Sequence, residues 1–116
     1  MAQSAAQASA RPDGNFSLQA PPGKAWKIVG KASALGEEVY ILEGAYYDTQ
    51  GRIAAGPGTF MFNAPGAVHG GISCDLTLYI HCCSGEPDEI VSIDLIDFEP
   101  RERPPVVQGI PNLRHG

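Results

Sequence analysis

The chain has 116 residues and a formal net charge of −5 at pH 7. This length suits one domain with a single core, and the negative charge argues against a nucleic-acid partner, because Lys and Arg supply most contacts to phosphate. No apolar run approaches the roughly 18 residues of a membrane helix, so we expect no membrane partner either.

The N-terminal stretch and the cysteines indicate the cellular compartment of the protein. Residues 1–13, "MAQSAAQASARPD", lack the basic and apolar regions of a secretory signal. We therefore expect them to form a flexible N-terminal arm. Cys74, Cys82 and Cys83 are an odd number of cysteines, which is typical of a reducing compartment. We therefore expect a cytoplasmic protein whose cysteines are small buried apolar side chains.

Short apolar runs alternate with turns rich in Gly, Pro and Asp along the rest of the chain. In order they are "AWKIV", "VYIL", "AYY", "TFMF", "LTLYIHCC" and "IVSIDLIDF". Such runs predict strands, and their regular spacing indicates an antiparallel barrel or sandwich. No segment keeps a helical period over the roughly 10–12 residues of a helix. We predict an all-β domain over residues 14–99 and an extended Pro-rich tail over residues 100–116.

Two stretches carry residues suited to chemistry. "EEVYILEG", Glu37–Gly44, begins with two carboxylates and ends in glycine, and "GTFMFNAPGAVH", Gly58–His69, turns at Pro65–Gly66 and ends in a histidine. Together they resemble the two motifs of the cupin superfamily, most of all the small single-domain cupins similar to the anti-sigma-factor-type cupin domain. The resemblance extends over residues 26–83.

The resemblance implies a cupin-type antiparallel β-barrel, or jelly roll, with its site in the lumen. Glu37 matches the metal-binding glutamate and His69 the histidine of the second motif, while Ala64 and Ser73 replace its Pro and Asn. The two histidines of the first motif are absent, and their places fall on Lys31 and Ser33, or on Gly30 and Ala32. Two of four ligands are few for zinc or iron, so we expect no cofactor, or a weakly held divalent metal on Glu37 and His69.

A carboxylate and an imidazole in one lumen can act as general base and general acid. Our first hypothesis is therefore an enzyme that uses Glu37 and His69 on a small organic molecule, as an isomerase, cyclase, dehydratase or lyase. Two alternatives are open: a non-catalytic ligand-binding or sensing module, and a metal-dependent dioxygenase with non-standard ligands.

Aromatic and basic side chains near the motifs are candidates for substrate binding: Lys31, Tyr40, Phe60, Phe62, Tyr79 and His81. Alternation along "LTLYIHCC" places Tyr79 and His81 on the face opposite Leu78, and the sequence leaves open which face lines the lumen. Exposed edge strands of a small β domain are usually covered or paired, so we predict a homodimer. We also predict that the protein binds a small molecule.

Overall fold

The structure, a computed structural model, describes residues 13–106. This part of the chain contains nine strands and no helix. The predicted all-β fold is therefore confirmed over this range. Residues 1–12 of the predicted arm and residues 107–116 of the predicted tail lie outside it. Within the described part, no helix has the length and apolar character needed to cross a membrane.

The strands form two antiparallel sheets. In chain order they are β1 (Asp13–Gln19), β2 (Lys24–Lys31), β3 (Glu37–Gly44), β4 (Tyr46–Tyr47), β5 (Ile53–Ala55), β6 (Phe60–Asn63), β7 (Val68–Ser73), β8 (Asp75–Cys82) and β9 (Glu89–Asp97). The four-stranded sheet has the order β1-β8-β3-β6, and the five-stranded sheet has the order β5-β4-β7-β2-β9.

The core lies between the two sheets, because successive side chains of a strand point to opposite faces. The four-stranded sheet contributes a buried cluster of Leu18, Val39, Ile41, Leu76 and Leu78. Partly buried side chains of the five-stranded sheet pack against this cluster: Trp26, Ile28, Tyr46 and Ala55. Burial of this apolar surface is the main favourable contribution to folding.

The pairing register brings the sequence motifs together at one end of the core. Glu37, the first residue of β3, pairs with Asn63 at the end of β6 and with Cys82 at the end of β8. In the other sheet, His69 of β7 pairs with Gly30 of β2. Strand ends from both sheets therefore meet around Glu37.

The described start of the predicted tail contacts the turn between β4 and β5. The backbone N–H groups of Arg101 and Glu102 both donate to the carbonyl of Gly51, and the Glu102 carboxylate accepts a hydrogen bond from the N–H of Ile53. This segment contains no strand and is attached to the domain surface by these bonds.

Two glycines of the sequence motifs provide a test of the packing of β3 on β8. Gly44 and Gly58 both have positive φ, 79° and 87°, which costs an alanine about 1–2 kcal/mol. A Cβ at Gly44 would also lie 1.8 Å from the carbonyl oxygen of Asp75, whereas a Cβ at Gly58 meets nothing within 4 Å.

We therefore expect Gly44→Ala to lower the free energy of unfolding by clearly more than Gly58→Ala, which should lose only the backbone cost of about 1–2 kcal/mol. Urea denaturation of both variants measures the difference. Equal losses would contradict the close approach of the β3 and β8 backbones at Gly44.

Candidate functional site

A cavity of about 280 Å³ lies between the two sheets. Its walls are mostly apolar and include Leu18, Ile28, Val39, Met61, Leu78 and Ile80. One end is polar and is formed by Glu37, Asn63, His69, Cys82 and Asp88, a group that we call the inner cluster. Apolar walls with a few convergent polar groups are the usual features of a small-molecule site.

Glu37 is the most buried member of the inner cluster. Strand alternation places it on the same face as Val39 and Ile41, and only 1% of its surface is exposed. Its Oε1 accepts a hydrogen bond from Nδ2 of Asn63 at 2.7 Å and lies 2.7 Å from Nε2 of His69. Its Oε2 has no hydrogen-bond partner among the described residues.

His69 extends from β7 toward Glu37, opposite a residue without a side chain. A Cβ at Gly30 would lie 3.8 and 3.9 Å from Cε1 and Nε2 of His69, in ordinary van der Waals contact, so the ring lies directly over Gly30. Two acceptor atoms would repel one another at 2.7 Å, so Nε2 carries a proton. The N–H is not aligned on Oε1, and Nε2 has no hydrogen-bond partner within residues 13–106. The contact is a close ion pair.

Asp88 lies in the turn before β9, and its role was not predicted from the sequence. Its Oδ1 accepts a hydrogen bond from the N–H of Ser33 at 3.0 Å and lies 3.5 Å from Sγ of Cys82. Its Oδ2 lies 3.9 Å from Nε2 of His69. The segment "SGEPDE" has only turn signals, so no local pattern indicates that its aspartate reaches the cavity.

The ionisable groups of the inner cluster shift one another's pKa values. Burial alone would raise the pKa of Glu37, but its contacts with His69, Asp88 and Asn63 outweigh burial and lower it. The contact with Glu37 raises the pKa of His69 against the opposing effect of burial. Burial and the neighbouring Glu37 raise the pKa of Asp88 to about 7. These shifts favour the carboxylate form of Glu37 and the imidazolium form of His69, and they leave Asp88 partly protonated near neutral pH.

Two further polar side chains of the cavity stay neutral. Burial and then the charge of Asp88 raise the pKa of the Cys82 thiol to about 12. Burial, with a smaller contribution from the charge of Glu37, raises the pKa of the Tyr46 phenol. The Cys82 thiol lies within hydrogen-bond distance of Oδ1 of Asp88, and Tyr46 is one of the residues that line the cavity.

The inner cluster also fits a divalent metal ion. One ligand atom each from Glu37, Cys82 and Asp88 lies within 4.8 Å of the others, and Nε2 of His69 lies beside them. Carboxylate oxygen, thiolate sulfur and imidazole nitrogen are all zinc ligands, and the unpartnered Oε2 of Glu37 is free to take part. Ionisation of Cys82 would be required, since only a thiolate binds the metal.

The six predicted substrate-binding residues do not line this cavity, and their role in substrate binding stays a prediction. They are Lys31, Tyr40, Phe60, Phe62, Tyr79 and His81. Strand alternation is the reason, because the inward positions of β3, β6 and β8 belong to Glu37, Asn63 and Cys82 and their neighbours two residues away. The aromatic residues and His81 lie on the outer face of the four-stranded sheet, and Lys31 is exposed at the end of β2.

Comparisons with protein-family models, with curated proteins and with solved structures give no match. The geometry of the cavity and its inner cluster is therefore the basis for an assignment of function.

Removal of the Asp88 carboxyl should change the pH dependence of stability. The folded protein keeps a proton on Asp88 up to about pH 7, whereas the unfolded chain releases it near its ordinary pKa of 3.8. This carboxyl, which faces Glu37, His69 and Cys82, therefore makes stability fall as the pH rises between these two values. In Asp88→Asn this contribution is lost.

We expect the free energy of unfolding of Asp88→Asn, relative to the unmodified protein, to rise between about pH 4 and 7 and to level off above. Urea denaturation at a series of pH values measures it, and Asp94→Asn, an exposed position on β9, controls for the loss of one carboxylate. A difference that stays constant over this range would contradict the raised pKa.

Proposed function

We propose that this protein is a small cupin-type enzyme that performs acid–base chemistry on a small organic molecule held in the cavity. Its two sheets would be the halves of a cupin-type β-barrel, or jelly roll. The observation that carries the proposal is the 2.7 Å contact of Glu37 and His69 at the polar end of an apolar cavity. These two residues are also the ones that match the cupin motifs.

The two groups have complementary roles in this proposal. Glu37 is the general base, because its lowered pKa keeps it ionised near neutral pH. His69 is the general acid, because its raised pKa favours its protonated form. Asp88 carries a further proton that can replace one given up by His69. The mostly apolar walls lower the local dielectric constant and so strengthen the electrostatic effect of the pair. Isomerisation, cyclisation, dehydration and lyase reactions all need such paired proton transfers.

Exchange of carbon-bound hydrogen provides a test that does not depend on the natural substrate. A panel of small ketones in D2O, followed by NMR, reports enolisation as loss of the proton signal next to the carbonyl. We expect the protein to catalyse exchange, and we expect Glu37→Gln and His69→Ala each to reduce it by about 10²–10⁴-fold, the usual contribution of a positioned acid or base. Because the two residues act together, the double variant should be little worse than the poorer single variant.

Matched controls lie on the same strands. Glu38→Gln and His81→Ala change outward-facing residues and should leave the exchange rate within a factor of about two. Exchange that survives in both Glu37→Gln and His69→Ala would exclude the pair from the mechanism. Tight ligand binding without exchange would favour the ligand-binding or sensing module.

A second candidate is a metal-dependent enzyme of the same cavity. The convergence of Glu37, Cys82 and Asp88 favours it, with His69 as a fourth ligand. When bound, a metal there would act as a Lewis acid on an oxygen atom of the substrate. The chain's own residues would hold the ion and exclude bulk water.

The acid–base proposal predicts far less than one transition-metal ion per chain in the purified protein, because the inner cluster offers a single imidazole and a thiol with a raised pKa. Elemental analysis tests this. About one ion per chain, lost in Cys82→Ser but kept in Cys83→Ser, would contradict the prediction and support the metal-dependent candidate. The predicted homodimer and cytoplasmic location stay predictions.

A further inference from the structure

Two buried polar atoms at the end of the cavity lack hydrogen-bond partners among the described residues. They are Oε2 of Glu37 and Nε2 of His69. Buried polar atoms are nearly always paired in folded proteins, and each unpaired one costs roughly 1–3 kcal/mol. Both atoms belong to side chains that line the cavity, so a molecule bound there can pair them.

The two atoms require opposite partners. Oε2 belongs to a carboxylate and only accepts, so it needs an O–H or N–H group. Nε2 carries a proton, because two acceptor atoms would repel one another at its 2.7 Å distance from Oε1. Since this N–H is not aligned on Oε1, it can donate to a second acceptor such as a carbonyl oxygen. Because Oε1 and Oε2 belong to one carboxylate, the donor and the acceptor that a ligand must supply have to lie next to each other. Within residues 13–106, the Asp88 carboxyl is a group that can compete with a ligand, because one of its oxygens lies within 4.8 Å of an oxygen of Glu37.

The remainder of the cavity limits the size and polarity of the molecule. Its volume of about 280 Å³ corresponds to about nine water molecules at roughly 30 Å³ each, or a ligand on the order of ten non-hydrogen atoms. Beyond the inner cluster the walls are mainly apolar, and they leave a ligand's body few polar partners. The paired charges of Glu37 and His69 largely cancel, so a charged organic ligand would have no free counter-charge there and would lose its hydration against apolar walls.

We infer that the ligand of this cavity is an uncharged molecule with an apolar body and one head in which an O–H or N–H donor stands beside a carbonyl oxygen. Hydroxy ketones and primary amides have such a head. The donor binds Oε2 of Glu37 and the carbonyl oxygen accepts from Nε2 of His69. This inference rests on the proposed function for its site, and it names the class of molecule that the site selects.

Two probes of equal size isolate the donor. Cyclohexanecarboxamide carries the complete head, and cyclohexyl methyl ketone replaces its NH2 group with CH3 and keeps only the acceptor. Calorimetry or NMR titration of the full chain, after treatment with a chelator, gives both dissociation constants. We expect the amide to bind at least about tenfold more tightly, because the ketone leaves Oε2 unpaired. Equal affinities, or no binding of either probe, would overturn the inference.

A variant of Glu37 tests the assignment of the donor to Oε2. In Glu37→Gln, the Asn63 amide and His69 Nε2 both favour the oxygen of the new amide on their own side, since both donate. The NH2 group then takes the place of Oε2 and presents a donor to the donor of the ligand. We expect the preference for the amide probe to fall below about threefold. Glu38→Gln, one residue along β3 on the outer face, should keep it.

The outcomes separate this inference from the proposed function. A preference for the amide that disappears in Glu37→Gln, without deuterium exchange in any ketone, supports the ligand class and refutes the acid–base enzyme. Exchange that depends on Glu37 and His69, together with equal affinities for the two probes, supports the enzyme and refutes the ligand class. Persistence of the preference in Glu37→Gln, or its loss in Glu38→Gln, would also overturn the inference.

Discussion

A carboxylate buried between two β-sheets is the constraint around which the polar end of the cavity is arranged. Glu37 is 1% exposed, and an isolated charge at such depth is strongly unfavourable. Asn63 donates to one of its oxygens, and the ring of His69 lies against the same oxygen. The folded protein keeps Glu37 ionised because its neighbours stabilise the charge more than burial destabilises it. A buried group held in its charged form is a frequent feature of catalytic and binding sites.

The same arrangement explains why Asp88 behaves differently from Glu37. Two carboxyl groups close together cannot both ionise easily, and the one with the stronger donors keeps its charge. Glu37 has the imidazole and the Asn63 amide, so Asp88 takes the proton and titrates at about pH 7. Environments that separate two pKa values in this way divide a site into a base and an acid.

Protons and a metal ion compete for the same atoms in the inner cluster. The positions of Glu37, Cys82 and Asp88 suit an ion, but each proton held by Cys82, Asp88 or His69 must leave before it can bind. A similar group of Glu38, His81 and Cys83 lies on the outer face of the sheet. The inner group differs from it in facing an apolar cavity, where electrostatic interactions are stronger than in water.

Much of the architecture followed from local pattern in the sequence. Short runs of β-branched and aromatic residues between turns indicated an all-β chain because strand preference and turn chemistry act over a few residues. The spacing of the two motifs also singled out Glu37 and His69, which the structure brings to 2.7 Å. Their predicted catalytic role stays a prediction.

Tertiary structure alone decided which other residues face the cavity. Alternation along β8 showed two faces and left open which was internal; packing of Leu76 and Leu78 into the core turned His81 outward and Cys82 inward. Asp88 reaches Glu37 across a separation of 51 positions through the turn before β9. Spacing along the chain carries no information about such contacts, because they depend on how the two sheets pack and on where the turn crosses the end of the cavity.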